Sequence, residues 1–246
     1  MGIIESKSGV KIYDNFRNNL IISRYDNQFV NMRSDKIDKI KSVNSEDAVT
    51  WNFFKSLRAI EPELWFPKLF YCSFGNACKY LSDKIIIDLW KEVSPPQSIK
   101  DTQKEEGNSE IDVIIESKDF VWFLEAKYRS DISIKTTNNE NRDQIIRNID
   151  VGSNYAGSKD FYFSLIYFDE KYSQLGIKKV SEYKDIGIDG LKKILIHRRD
   201  SLENIKGISC FNWTDLFKAD IKIVDTCEEV IFDTLCDYIE NLRVRH

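Results

Sequence analysis

Two adjacent apolar runs, at 111–117 (Ile-Asp-Val-Ile-Ile-Glu-Ser) and 119–128 (Asp-Phe-Val-Trp-Phe-Leu-Glu-Ala-Lys-Tyr), constrain this chain more than any other stretch. Both are rich in β-branched and aromatic residues, which predicts strands, and Ser117-Lys118-Asp119 between them predicts a hairpin turn. Successive side chains of a strand point to opposite faces. Here apolar residues fall on both sides of that alternation, so the sheet must be covered on both faces. A third strand is predicted at 160–168.

Helical spacing supplies the cover. Residues 45–60 start at Ser45, a candidate N-cap, and carry Val49, Phe53, Leu57 and Ile60 on one stripe. At 141–156, Asn141 is a candidate cap and Ile145, Ile149, Gly152 and Ala156 line one face. At 225–243 a Thr226-x-x-Glu229 capping box precedes Val230, Ile231, Leu235, Ile239 and Leu242. Polar stretches at 98–109, 129–141 and 157–160 read as loops, and residues 1–44 show few periodic signals. The order helix, two or three strands, helix, strand predicts an α/β fold with a central sheet flanked by helices.

Composition narrows the function classes. The 246 residues are 42% apolar and include 15 Phe, 11 Tyr and 5 Trp, enough for a core without disulfide or metal staples. The five tryptophans, Trp51, Trp65, Trp90, Trp122 and Trp213, are expected in that core rather than as base-stacking platforms. No apolar run approaches the roughly 18 residues of a membrane span. A net charge of −4 excludes a broadly basic coat for nucleic acid, while leaving local contact with a polyanion open. Five scattered cysteines without a C-x-x-C pair predict buried, reduced thiols and a cytoplasmic setting. The N-terminal residues lack a basic stretch followed by an apolar one, so no secretory signal is expected.

The chemistry concentrates at 110–127. On their strands Glu110 and Asp112 share a face, as do Glu125 and Lys127, and a hairpin brings these polar ends together. Like charges about 4 Å apart repel by about 4 kcal/mol at an effective dielectric near 20. Such a cluster needs cations. Lys127 supplies one charge, and a divalent ion held by hard carboxylate oxygens supplies the rest; Mg²⁺ fits, since it uses one or two carboxylates and keeps waters. A structural Glu125–Lys127 pair is the competing reading, but it leaves Asp112 unexplained among Ile111, Val113, Ile114 and Ile115. Glu110 is either a further ligand or the polar end of a loop.

Two helical residues carry paired readings. Glu46 lies within about 40° of the buried stripe at about 100° per residue; it serves either the site or, like Asp47, the helix dipole. Gln144 either reaches the site or completes a capping box with Asn141. Arg129, Lys135, Arg142, Arg147 and the run Lys192, Lys193, His197, Arg198, Arg199 are candidate phosphate contacts, although most such charges are solvated surface.

Asp112 followed by Glu125-x-Lys127 at the end of the next strand resembles the active-site signature of the PD-(D/E)XK, or restriction-endonuclease-like, nuclease superfamily. The resemblance spans about half the chain, from the helix at 45–60 to the strand at 160–168. An acidic residue on a preceding helix, Glu46, and a Gln on the helix after the lysine strand, Gln144, also match. Ile111 stands where the motif has proline. The resemblance implies a restriction-endonuclease-like core, a central mixed β-sheet flanked by helices in the order αβββαβ. Chain length predicts a single domain with its core at about 45–217, an N-terminal extension at 1–44 and a C-terminal helix at about 225–243; these flanking segments lie outside the resemblance, and the C-terminal helix is a candidate homodimer face. Asp112, Glu125 and the Ala126 carbonyl would hold Mg²⁺ or Mn²⁺. Lys127 would orient the attacking water, Glu46 would bind a second metal or a metal-bound water, and Gln144 would orient the site or touch the substrate backbone. The implied activity is endonucleolytic hydrolysis of DNA, leaving a 5′-phosphate and a 3′-hydroxyl. An RNase on the same fold, a nuclease-like module that binds nucleic acid or protein without cutting, and a protein whose acids bind metal for stability alone are the alternatives.

Overall fold

The structure, a computed structural model, describes residues 2–5, 9–80, 84–100, 106–135, 142–198, 201–219 and 221–244. In chain order these form β1 (Ile3–Glu5), β2 (Lys11–Tyr13), α1 (Ser34–Ile40), α2 (Glu46–Arg58), α3 (Pro62–Phe74), β3 (Ile86–Val93) and α4 (Gln97–Lys100). There follow β4 (Ser109–Glu116), β5 (Phe120–Ala126), α5 (Gln144–Ala156), β6 (Asp160–Tyr167), α6 (Gln174–Ile194), β7 (Ile205–Asn212) and α7 (Thr226–Val244). The chain divides into two compact units, one of residues 1–65 and 217–246, the other Phe66–Leu216.

The Phe66–Leu216 unit is α/β, built on a five-stranded mixed sheet in the order β3-β4-β5-β6-β7. Strands β3, β4 and β5 are antiparallel neighbours, whereas β5, β6 and β7 run parallel. The hairpin turns where expected: Ser117 N donates to Phe120 O at 3.0 Å, and Asp119 N donates to Ser117 Oγ at 3.1 Å. All seven β5 residues are buried, which accounts for its two-sided apolar pattern.

Each face has its own cover. On one, Phe66 stacks on Phe120 with centroids 5.3 Å apart, Phe70 meets Trp122 at 5.9 Å, and Phe74 meets Tyr162 at 4.9 Å. Three buried hydroxyls, Ser73, Ser164 and Ser209, close a triangle of 2.7, 2.7 and 2.8 Å on that side. On the other face Val121, Phe123, Phe161 and Phe163 pack with Ile145, Ile149 and Leu191 of α5 and α6. Gly152 permits the close approach of α5, because a Cβ there would lie 2.3 Å from the Phe161 ring and 2.8 Å from that of Phe123.

In the other unit, Ser45 caps α2 by accepting from Ala48 N at 3.1 Å. Val49, Phe53 and Leu57 are wholly buried. The N-terminal segment is held to α2 through polar groups. Asn52 accepts from Ile21 N and donates to Asn19 O, both at 3.0 Å, and Trp51 Nε1 donates to Ile22 O at 3.0 Å. Helix α7 packs beside α2 through Leu235, Ile239 and Leu242, which are buried, while Val230 is exposed. Three of the five residues on the expected stripe are thus spent inside the unit. The α7 cap is Asp225, whose Oδ1 accepts from Cys227 N at 2.9 Å and Glu228 N at 3.1 Å. That corrects the expected Thr226 box: Thr226 is already helical.

All five tryptophans are buried. The five cysteines are free, but only Cys78 is fully buried and Cys227 is exposed, so burial does not hold for the set. Among the described residues no helix is long and apolar enough to cross a membrane.

Gly152→Ala is expected to destabilise the protein by about 1–3 kcal/mol through overpacking against Phe161 and Phe123. Urea denaturation measures this, and an unchanged midpoint would show that α5 has room to spare.

Candidate active site

The β4–β5 register sets Val113 opposite Leu124 and Ile114 opposite Phe123. One step further it sets Asp112 opposite Glu125, and directly opposed residues of an antiparallel pair share a face. The Asp112 carboxylate reaches the backbone of β5, where Oδ2 accepts from Ala126 N at 2.9 Å. Lys127 Nζ donates to Ala126 O at 3.0 Å and to Glu125 Oε1 at 2.6 Å. The Ala126 residue is therefore gripped through its N–H by an acid and through its carbonyl by an ammonium. Across from Asp112 on β3, between the paired Leu89 and Lys91, Trp90 takes φ +56°. A bulky residue there stores about 1–3 kcal/mol of strain, a cost that concentrates at functional sites.

Glu125 is 1% exposed, so its charge must be met by protein. Besides Lys127, Gln144 Nε2 donates to Oε1 at 2.6 Å and Asn148 Nδ2 donates to Oε2 at 2.8 Å. Gln144 and Asn148 sit one helical turn apart on α5 and so present their amides together. Gln144 is itself fixed by Ser133, whose N donates to Oε1 at 3.2 Å and whose carbonyl accepts from Gln144 N at 3.0 Å. With its oxygen so engaged, the amide aims its nitrogen at the carboxylate. Trp213 Nε1 donates to Lys127 O at 2.9 Å and anchors the lysine backbone.

The structure thus brings together Asp112, Glu125, Ala126, Lys127 and Gln144, and adds Asn148 and Trp213. Asn148 has a sequence signal, its i,i+4 spacing from Gln144; Trp213 has none. Glu46 lies in the other unit, half-buried in the first turn of α2. Glu110 is exposed, opposite Glu92 on β3. Asn141 lies outside the described residues, and the cap of α5 is Asp143, which accepts from Ile146 N at 2.9 Å. The expected capping box is therefore replaced, and Gln144, the first helical residue, turns its side chain to Glu125.

The donor set fits a small hard cation in kind. Two carboxylates and a carbonyl are the oxygens Mg²⁺ prefers, and it needs no more than one or two carboxylates. Among the described residues no three His, Cys, Asp or Glu side chains gather into a metal-holding group. Two of the three groups already give an oxygen, Glu125 Oε1 and Ala126 O, to Lys127 Nζ, so an ion bound there competes with the ammonium.

Several candidate phosphate contacts are committed elsewhere. Arg142 donates through both terminal nitrogens to Asp150 Oδ2 at 2.9 Å, His197 Nε2 lies 2.8 Å from the same oxygen, and Arg198 reaches Oδ1 at 3.2 Å. Arg147 pairs with Glu106 at 3.0 Å, and Lys192 with Glu203 at 2.6 Å. Arg142 and Arg198 are buried partners of a wholly buried acid, not solvated surface. Arg199 lies outside the described residues. Burial pushes the Asp150 carboxyl up, but the His197 hydrogen bond and the Arg142 charge outweigh it and hold the group below its ordinary value.

Lys127→Met should cost about 3–5 kcal/mol by leaving the Glu125 carboxylate buried and uncompensated. Joining it to Glu125→Gln should recover most of that loss in urea denaturation; a purely additive double variant would deny the coupling. Asp150→Asn should likewise cost about 3–5 kcal/mol at pH 7, since it leaves buried guanidinium groups unmatched. A depressed carboxyl contributes stability above its unfolded-state value, about 4, and loses it as pH falls through the lower folded value. The gap between wild type and Asp150→Asn should therefore narrow below about pH 4; a constant gap from pH 7 to pH 3 would contradict it.

Comparison with family models, curated proteins and solved structures finds no match for this chain.

Proposed function

We propose that the protein is a metal-dependent nuclease of the PD-(D/E)XK type that hydrolyses phosphodiester bonds, with DNA as its substrate. The observation that carries this is the convergence of Asp112, Glu125 and Lys127 about one residue of β5, with Gln144 joined to the same carboxylate. The sheet order, antiparallel through β3, β4 and β5 and then parallel to β6 across α5, supports it as well. Asp112, Glu125 and the Ala126 carbonyl would hold Mg²⁺ or Mn²⁺. When bound, such an ion polarises the phosphate and acidifies a coordinated water. Lys127, released from Glu125, would orient that water and stabilise charge growing on the phosphate oxygens. Gln144 and Asn148 would keep the Glu125 carboxylate fixed meanwhile.

One observation favours a second reading. Glu125 accepts from Lys127, Gln144 and Asn148, which satisfies it as a buried ion pair. A nuclease-like module that binds without cutting would carry that arrangement unchanged.

Incubation with plasmid DNA, single-stranded DNA and RNA, in Mg²⁺ or in EDTA, separates these readings. The expected result is Mg²⁺-dependent cleavage of DNA. Cleavage of RNA alone would reassign the substrate, and retained binding without cleavage of any substrate would favour the module. Asp112→Asn keeps an acceptor for Ala126 N–H and removes the charge, so it should fold normally. Its cleavage should fall by about 10²–10³, the usual cost of a lost electrostatic contact in a transition state. Undiminished cleavage would remove Asp112 from the site.

A further inference from the structure

A cavity of about 480 Å³ opens in the Phe66–Leu216 unit between the end of α3, the first halves of β6 and β7, and α6. None of Asp112, Glu125, Lys127, Gln144 or Asn148 lines it. On β6 its wall is Tyr162, which aligns with Trp122, three residues before Glu125 on β5. The two places are thus about 10 Å apart along the strands, at about 3.3 Å per residue. The volume falls within the roughly 300–1,000 Å³ of small-ligand pockets.

The lining has one sign of charge. It includes Lys79, Lys184 and Lys206 and no Asp or Glu. Lys79 is held by Asp160 Oδ2 at 2.7 Å, and Lys206 donates to Glu203 O at 2.7 Å. Lys184 is exposed, and its ammonium makes no hydrogen bond or ion pair among the described residues. The hydroxyls of the wall are occupied: Ser73 and Ser209 by their triangle, Tyr183 by Asp143 at 2.5 Å, and Tyr162 by Tyr80 at 3.0 Å. What Phe70, Phe74, Tyr162 and Tyr183 offer the cavity is aromatic surface. Aromatic walls with a single uncommitted ammonium at the rim select a flat apolar body carrying one negative charge.

We propose that this cavity binds a small aromatic anion, with Lys184 as the counter-charge and the α3 and β6 rings as the seat. The site is independent of the nuclease reading. The test compares two fluorescent probes of matched shape in EDTA: 8-anilino-1-naphthalenesulfonate and its uncharged counterpart N-phenyl-1-naphthylamine. The wild type should bind one sulfonate per chain about tenfold more tightly than the neutral dye, the scale of one charge-assisted contact. Lys184→Glu, on an exposed helix position, should abolish that preference. Ile188→Trp, which fills the cavity, should weaken both dyes by about tenfold, with folding checked by circular dichroism. Equal affinity of the wild type for both dyes, or a preference that survives Lys184→Glu, would overturn the proposal. So would undiminished binding to a folded Ile188→Trp variant.

Discussion

A carboxylate inside an apolar sheet is the constraint on which the arrangement around β5 depends. Glu125 has almost no access to water, and an ion in that position is stable only if its charge and lone pairs are met locally. Lys127 meets the charge from two residues along the same strand, and Gln144 and Asn148 meet the remaining lone pairs from α5. Each partner then has to be fixed in turn. Ser133 holds Gln144, Trp213 holds the Lys127 carbonyl, and Gly152 lets α5 lie close enough for its amides to reach. Glu125, Lys127 and Asn148 are buried, so removing one leaves the others without solvent to fall back on, whereas Gln144 and Ser133 stand at the water-accessible edge of the network.

The same arithmetic explains why a structural and a catalytic reading coexist at one site. An ammonium bridging Glu125 and Ala126 O holds two of the oxygens that a divalent ion would use. A second buried ionic centre is built on Asp150 of α5, which gathers Arg142 from before that helix and His197 and Arg198 from after α6. Two guanidinium groups there face one carboxylate, and their charge-assisted bonds tie the middle of α5 to the segments before and after it. Its consequence for substrate contact is negative: those guanidinium groups are unavailable to phosphates while they neutralise Asp150.

Much of this was legible in the sequence where local chemistry decides the outcome. Strands β4, β5 and β6, the turn at Ser117–Asp119 and the Ser45 cap follow from alternation, turn residues and capping oxygens. The pairing of Asp112 with the Glu125–Lys127 strand end follows from the hairpin. What stayed hidden depends on tertiary context. Helix α3 contains Pro67 and is apolar on most sides, with Leu64, Trp65, Phe66, Leu69 and Phe70 in one stretch, so no amphipathic stripe marks it. The caps of α5 and α7 fell to Asp143 and Asp225 instead of Asn141 and Thr226, since neighbouring acceptors compete and packing selects among them. Arg142 and Arg198 read as surface charge because their partner, Asp150, comes together with them only on folding.

The proposed cation seat of Asp112, Glu125 and the Ala126 carbonyl requires that Lys127 be displaced from Glu125 and Ala126 O. Anomalous X-ray scattering from crystals soaked in Mn²⁺ tests it most directly. The expected result is one peak at about 2.1 Å from oxygens of both carboxylates and of Ala126, the spacing of small hard divalent ions, with Lys127 Nζ moved away from Glu125. Crystals saturated with Mn²⁺ that show no peak there, with the Glu125–Lys127 pair intact, would contradict it.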